Sequence, residues 1–276
     1  MSFKRNFMLG SALSAALTLA YAHWIERRWQ VVREYDVILT ELERPFDGYR
    51  IAQISDIHID HWMTRSLLKK AVGHVKDNRP DLIVITGDII TARVAYDIDL
   101  IEQLLSALSA PDGVLFVPGN HDYWEPGQID ILRGMLARAN IRDLSNDVLT
   151  LERDGAWLHI AGIDDVFARE ARLDKVLRKL PDEGPAILLA HEPDFADIVA
   201  PYKRFDLQLS GHTHGGQIRL PLIGNLYGPV HGLRYDAGWF DVDSLKLYVN
   251  VGIGVVTIPV RFMCRPEIAI FTLRAP

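Results

Sequence analysis

Five short stretches of the chain carry residues that could bind metal: Asp56-Ile57-His58, Gly87-Asp88, Gly119-Asn120-His121-Asp122, the lone His191, and Gly211-His212-Thr213-His214. Each follows an apolar run that reads as a strand: YRIAQISD, DLIVITGD, GVLFVPGN, AILLAHEP and FDLQLSGH. If those strands run parallel, or meet at one end, all five stretches fall on the same edge of a sheet. Their imidazoles, carboxylates and single amide suit manganese, iron or zinc better than copper or an iron–sulfur cluster. Taken singly, each has an ordinary reading. An aspartate at a strand end is commonly a turn residue or helix cap, and a histidine after AILLA can be a hydrogen-bonded core residue. One shared site accounts for all five at once. The glycines of GHTHGG would let the backbone turn tightly and approach such a site closely, with His212 and His214 as same-side neighbours on an extended segment.

The intervening elements alternate in type. Residues 64–80 carry apolar side chains at helical spacing behind Thr64, an N-cap residue. Further helices are expected over Asp97–Leu108, Gln128–Ala139 and Arg169–Leu180, with AWLHIAGI and LYVNVGIG as additional strands. Up to about residue 140 the pattern is βαβ in style, and beyond it strands are more frequent. This predicts an α/β fold of packed sheets with helices outside and sites at strand ends. Pro221, Gly224, Gly228 and Pro229 mark residues 219–238 as a loop or lid.

With 276 residues and 49% hydrophobic content, the chain has material for a substantial core. Its 36 acidic and 30 basic residues give a formal charge of -6, and no basic block favours a long nucleic-acid partner. Cys264 is the single cysteine, which excludes an intramolecular disulfide and a thiolate cluster. Residues 1–30 form a separate unit, apolar from Phe7 to Ile25 and flanked by Lys4-Arg5 and Arg27-Arg28. An uncleaved anchor, a signal peptide cut near Ala20-Tyr21-Ala22 and an ordinary apolar helix are the competing readings. Trp24 and Trp29, placed as interfacial anchors, favour the first. Residues 31–50 would then be a short polar approach to the body of the protein, and the amino-terminal basic pair favours an external catalytic body on a single-pass inner-membrane anchor.

The ordered set D-x-H, GD, GNHD, H and GHTH, covering residues 55–214, resembles the calcineurin-like metallophosphoesterase superfamily. GHTHGGQIRLP, GLRY (232–235), MCRPEI (263–268) and the apolar amino terminus resemble its bacterial membrane-tethered or exported members. The resemblance implies a four-layer α/β/β/α sandwich, two mixed sheets flanked by helices, over residues 31–276. It implies two divalent ions, manganese foremost, with zinc, iron or nickel as alternatives. Asp56, His58 and His214 would hold the first ion; Asn120, His191 and His212 the second. Asp88 would bridge them, since two carboxylate oxygens can reach both ions and their charge is partly offset. His121 would stand beside the phosphate, as oxyanion partner or proton donor. Ions roughly 3.5–4 Å apart can activate a water and offset charge on both the attacking and leaving oxygens, so hydrolysis by metal-bound hydroxide is expected.

The implied substrate is a phosphodiester or diphosphate, including a lipid-linked one. A UDP-2,3-diacylglucosamine diphosphate hydrolase and a non-catalytic, metal-stabilised binding module are the alternatives. Asp122 is expected to support its neighbour, Cys264 to be a buried small residue, and His74 and His159 to be structural. His61, His231, Arg261 and Arg265 are open between substrate contact and a rim or fold role. Leu222, Ile223, Leu226 and Tyr227 could meet a membrane surface or pack back onto the core.

Overall fold

A computed structural model describes residues 2–60, 62–91, 98–225 and 228–276. Helix α1 (Ser2–Ala20) leads into a wide turn, Tyr21–Ile25, and a tight one, Glu26–Arg28. Then come β1 (Val31–Ile38), β2 (Arg50–Ile54), α2 (Arg65–Asp77), β3 (Leu82–Thr86), α3 (Ile98–Leu105), β4 (Val114–Val117), α4 (Gln128–Arg138) and β5 (Ile141–Asp143). The second half contributes β6 (Asp147–Arg153), β7 (Ala156–Gly162), α5 (Leu173–Lys179), β8 (Ala186–Leu189), α6 (Ala196–Val199) and β9 (Leu207–Ser210). It closes with β10 (Arg219–Leu220), β11 (Gly224–Asn225), β12 (Gly238–Val242), β13 (Leu245–Val249) and β14 (Glu267–Arg274).

Two six-stranded mixed sheets result, ordered β1-β14-β2-β3-β4-β5 and β12-β13-β9-β8-β7-β6. Strands β2 to β5 are mutually parallel, as are β7, β8, β9 and β13. Alternation along the strands explains the layering, because successive side chains leave opposite faces of a sheet. In β3, Leu82 and Val84 enter the apolar layer between the sheets, whereas Ile83 and Ile85 pack outward with α2 and α4 residues such as Val72 and Leu132. In β8, Ile187 and Leu189 face inward, and Ala186 and Leu188 pack outward against Val176 of α5 and Val199 of α6. Strands buried on both faces favour apolar residues on both, hence the near-continuous apolar runs in the sequence. The architecture is the expected α/β/β/α sandwich.

Thr64 caps α2, its hydroxyl accepting from the Leu67 N–H at 3.4 Å, and Leu68, Ala71, Val72 and Val75 form the buried stripe. Two local expectations fail. The helix expected from Arg169 starts only at Leu173, since Asp165 accepts the Ala168 N–H and folds residues 165–172 into a loop, with Arg169 at φ 61°. The described part of the loop expected over 219–238 consists of turns and the small β10–β11 hairpin, and Leu226 and Tyr227 lie outside the described residues. The polar approach expected over 31–50 is instead led by β1, which pairs in parallel with β14 along its whole length and buries Val37.

Helix α1 itself stands clear of the sandwich, with Phe7, Met8, Leu13 and Leu17 exposed. Residues Asn6–Arg28 are long and apolar enough to cross a membrane by length and composition. Its foot is fixed to the sandwich. Arg261 donates its backbone N–H to the Ala22 carbonyl (3.2 Å), His23 Nδ1 meets the Pro259 carbonyl (2.8 Å), and the Cys264 N–H donates to Glu26 (2.8 Å).

Candidate metal centre

The five stretches converge, but from two sheets. Asp56 and His58 follow β2, Asp88 follows β3 and Asn120 follows β4 in the first sheet, whereas His191 follows β8 and His212 and His214 follow β9 in the second. Their carboxyl-terminal edges meet at one end of the sandwich. Directly beneath, Gln53 of β2 donates to the Ser210 carbonyl of β9 at 3.0 Å, stitching the sheets together where apolar packing stops.

Two clusters form there. In the first, ligand atoms of Asp56, His58 and His214 lie within 4.8 Å of one another, and those of Asp88, His191 and His212 do so in the second. All six residues are buried. Asp88 joins the clusters, its Oδ2 lying 3.4 Å from His58 Nε2 and 3.3 Å from His191 Nε2. His58 and His214 bring their Nε2 atoms to 3.0 Å, and His212 Nδ1 lies 3.2 Å from His191 Nε2. Asn120 borders the same pocket with a buried Oδ1 that has no hydrogen-bond partner. An orphaned amide oxygen costs about 1–3 kcal/mol in a dry interior, and a cation is a partner that would offset that cost.

The surroundings preset the imidazoles. His191 Nδ1 donates to the Thr86 carbonyl (2.7 Å) and His212 Nε2 to the Val230 carbonyl (2.8 Å), leaving the lone pair of His191 on Nε2 and that of His212 on Nδ1. His58 Nδ1 faces the Thr91 hydroxyl at 3.2 Å, which leaves Nε2 for the cluster. Burial pushes His58 and His212 down to about 3 and His214 well below the usual histidine range, so these rings are neutral, as metal ligation requires. Burial opposes charge on His191 too, but the Asp88 carboxylate pushes it well above that range, and His191 in turn holds Asp88 well below the carboxylate range. Burial raises Asp56 to about 7. Imidazoles, carboxylates and an amide oxygen so closely packed and buried fit two divalent cations.

The backbone is under strain here. Asp56, His58, Asp88, His212 and His214 all have φ between 47° and 72°, a region that non-glycine residues avoid. The GHTH stretch is therefore not extended, as β9 ends at Ser210 and the two histidines reach their clusters from left-handed backbone. The close approach expected of the glycines does hold. A Cβ on Gly211 would lie 2.3 Å from Asp56 Oδ2, and one on Gly119 would lie 2.4 Å from Asp88 Oδ1.

Asp122 fastens the loops. Fully buried, it accepts from Asp88 N (2.9 Å), Ile89 N (3.0 Å), Ile90 N (3.2 Å) and Gly119 N (3.0 Å). His121 donates its backbone N–H to Asp88 Oδ1 at 2.8 Å. Its ring stacks on Trp124, with centroids 4.9 Å apart and planes 7° apart, and Nδ1 is buried without a partner.

A cleft of about 600 Å³ opens over the clusters, lined by Asp88, Asn120, His121 and His212 and, less polar, by Trp124, Phe167, Val230 and Val256. Phe167 and the Val256–Thr257 segment escaped the sequence reading. The signal for Phe167 was the Asp164-Asp165 pair, a further acidic strand end after AWLHIAGI. His231 is exposed against Phe167. Arg261 is buried and donates to the Val251 and Gly254 carbonyls, 3.4 Å from His214 Nδ1, while Arg265 stacks over Trp29 at 3.8 Å. His159 is a buried hydrogen-bonded residue between Thr150 and the Glu183 carbonyl, and Cys264 is buried with its thiol pushed up by desolvation. His61 lies outside the described residues.

A two-sheet sandwich with a paired-cluster metal centre at its strand ends defines a dinuclear metallophosphoesterase. The family profile described as calcineurin-like phosphoesterase matches residues 49–216, and the chain belongs to that family. It is 36% identical to the uncharacterized metallophosphoesterase YkuE of Bacillus subtilis, over 97% of this chain and 95% of that one. It is 28% identical to the phosphodiesterase YaeI of Escherichia coli, over 99% of this chain and 100% of that one. A transmembrane protein with metallophosphoesterase domain from Danio rerio is 32% identical over 88% of this chain and 57% of its own length. The protein is a metal-dependent phosphoesterase with a dinuclear metal centre.

Proposed function

We propose that the protein hydrolyses a phosphodiester or diphosphate at this centre, with Asp56, His58 and His214 holding one ion, Asn120, His191 and His212 the other, and Asp88 bridging them. The junction of both clusters at Asp88, with the unpartnered Asn120 oxygen beside it, carries this reading. Manganese is the proposed physiological ion, since the imidazole, carboxylate and amide set suits it. When bound, the ions would acidify a water and offset charge on the phosphoryl oxygens.

The chain's own groups do the rest. Asp122 holds the GD and GNHD loops in register through four backbone N–H groups. His121, steadied by Trp124, lines the cleft, where a ring nitrogen hydrogen-bonds a non-bridging oxygen or protonates the departing alkoxide. A purely metal-binding module would have no use for that nitrogen. The anchor reading places α1 in the inner membrane, and Lys4-Arg5 favours a cytoplasmic amino terminus with the sandwich on the outer side.

Elemental analysis paired with chelation and re-addition of manganese, assayed on an aryl phosphodiester, tests the proposal. The expected result is two ions per chain, loss of turnover on chelation and recovery on re-addition. Full turnover in metal-free protein would refute it.

A further inference from the structure

The cleft and the membrane helix share one piece of backbone. Val256 and Thr257 line the metal cleft. Pro259 receives His23, and Arg261 donates to the Ala22 carbonyl, so only Ile258 and Val260 intervene between cleft wall and helix foot. Gln217, on the other cleft wall, braces the segment by accepting from Val256 N and donating to its carbonyl, both at 2.8 Å. The entrance is thus held rigidly beside α1, with no free linker between them.

Around that foot several large apolar side chains are exposed, with Arg28 beside them. Trp24, Ile25, Ile258 and Met263 are 60%, 52%, 46% and 55% exposed. Trp62 joins them, edge-on to His23 and beneath the Arg27 guanidinium. Met263 lines a cavity together with Tyr21 at the end of the helix. Side chains of this kind, tryptophan included, gather at the level of lipid headgroups, and a contiguous exposed group of them calls for a partner. The surface is continuous with α1, whose own exposed apolar length fits a bilayer.

We propose that Trp24, Ile25, Trp62, Ile258 and Met263 form a collar seated in the membrane surface, which fixes the cleft entrance at the bilayer and admits phosphoesters whose organic part remains in lipid. This rests on the metallophosphoesterase reading and adds the substrate class. The β10–β11 hairpin grows from the same region, since Arg219 N donates to the Phe262 carbonyl, and its tip residues Leu222 and Ile223 stand in solvent instead of packing back. They give the collar a second point of entry.

The test uses the full chain reconstituted in phosphatidylcholine–phosphatidylglycerol vesicles. Ile258→Cys and Leu222→Cys carry an environment-sensitive fluorophore, and Lys203→Cys, at the opposite end of β9, serves as the control. Nitroxide-bearing lipids should quench the first two about threefold and leave the control unchanged. The Ile258→Glu/Met263→Glu variant should hydrolyse a water-soluble aryl phosphodiester within about twofold of the parent, yet lose about tenfold on a vesicle-borne lipid phosphodiester, where proximity sets the rate. Unquenched Ile258 label in protein that still hydrolyses the soluble ester overturns the collar and leaves the metallophosphoesterase intact. Equal losses on both substrates, or none on the lipid, overturn the substrate class; the gentler Ile258→Ser separates such losses from misfolding. Disulfide-linked dimers of unlabelled Ile258→Cys would put a second copy on this face and also refute the collar.

Discussion

Asp122→Asn turns one acceptor oxygen into a donor at a carboxyl that burial and the neighbouring Asp88 carboxylate push up to about 8. In the parent, Oδ2 takes the N–H groups of Asp88 and Gly119, and Oδ1 takes those of Ile89 and Ile90. However the amide is oriented, two backbone donors then face an NH2 group in a fully buried site. A buried donor left without its acceptor costs about 1–3 kcal/mol, so two predict a penalty of about 2–6 kcal/mol. That is a large fraction of the roughly 5–15 kcal/mol that holds a domain folded. The penalty should surface as a lower urea midpoint in metal-free protein and as weaker metal retention, because the freed loops carry Asp88 and Asn120. Excess metal should return part of the stability, about 2.7 kcal/mol for each site at a hundredfold excess over its dissociation constant. Urea titrations with and without manganese, together with metal content after dialysis, measure both effects. An Asn variant with an unchanged midpoint and two retained ions would show that Asp122 does not hold these loops.

His121→Ala should keep both ions and lose turnover most on poor leaving groups, which a leaving-group series measures; collapse of metal content would rule out its role as a proton donor. Trp124→Ala, which frees the His121 ring from its stack, should lower kcat without changing metal content, and Trp124→Phe should restore much of the rate. Asp88→Asn should weaken retention of both ions together, read by elemental analysis, since Asp88 lies against both clusters; loss of one ion alone would contradict a bridge. Gly211→Ala drives a Cβ to 2.3 Å from Asp56 Oδ2, so the ion held by Asp56 should be lost first, leaving about one per chain.

The strand ends were legible because buried parallel strands are mostly apolar and each run ends in a cluster of glycine and ligand-type polar residues. That logic locates Asp56, Asp88, Asn120, His191 and His212 without any knowledge of which sheet each strand joins. Sheet membership was not legible, since it depends on long-range pairing such as β14 between β1 and β2. Strain was equally hidden. His212 and His214 look like alternate residues of a strand, and tertiary packing imposes their left-handed backbone. Residues 169–172 read as the start of a helix because nothing in their periodicity shows that the Asp165 side chain will take a backbone N–H. The approach to the sandwich was misjudged for a related reason: residues 31–50 are polar enough to suggest a loose connection, yet β1 pairs with β14 along its whole length.

Each cluster draws on both sheets, with His58 and His214 meeting across 156 positions of sequence. In an unfolded chain those donors are too far apart to form a chelate, so the free energy of ion capture accrues almost wholly to the closed sandwich. Bound ions would then act as fasteners between the two leaves at their open edge. Metal scarcity would be felt first as a mechanical loosening of that edge, and protease sensitivity should appear in the GNHD and GHTHGG loops before the apolar interior gives way. Nutritional supply of the ion would in this way govern how long the folded protein survives, and not merely how fast it works.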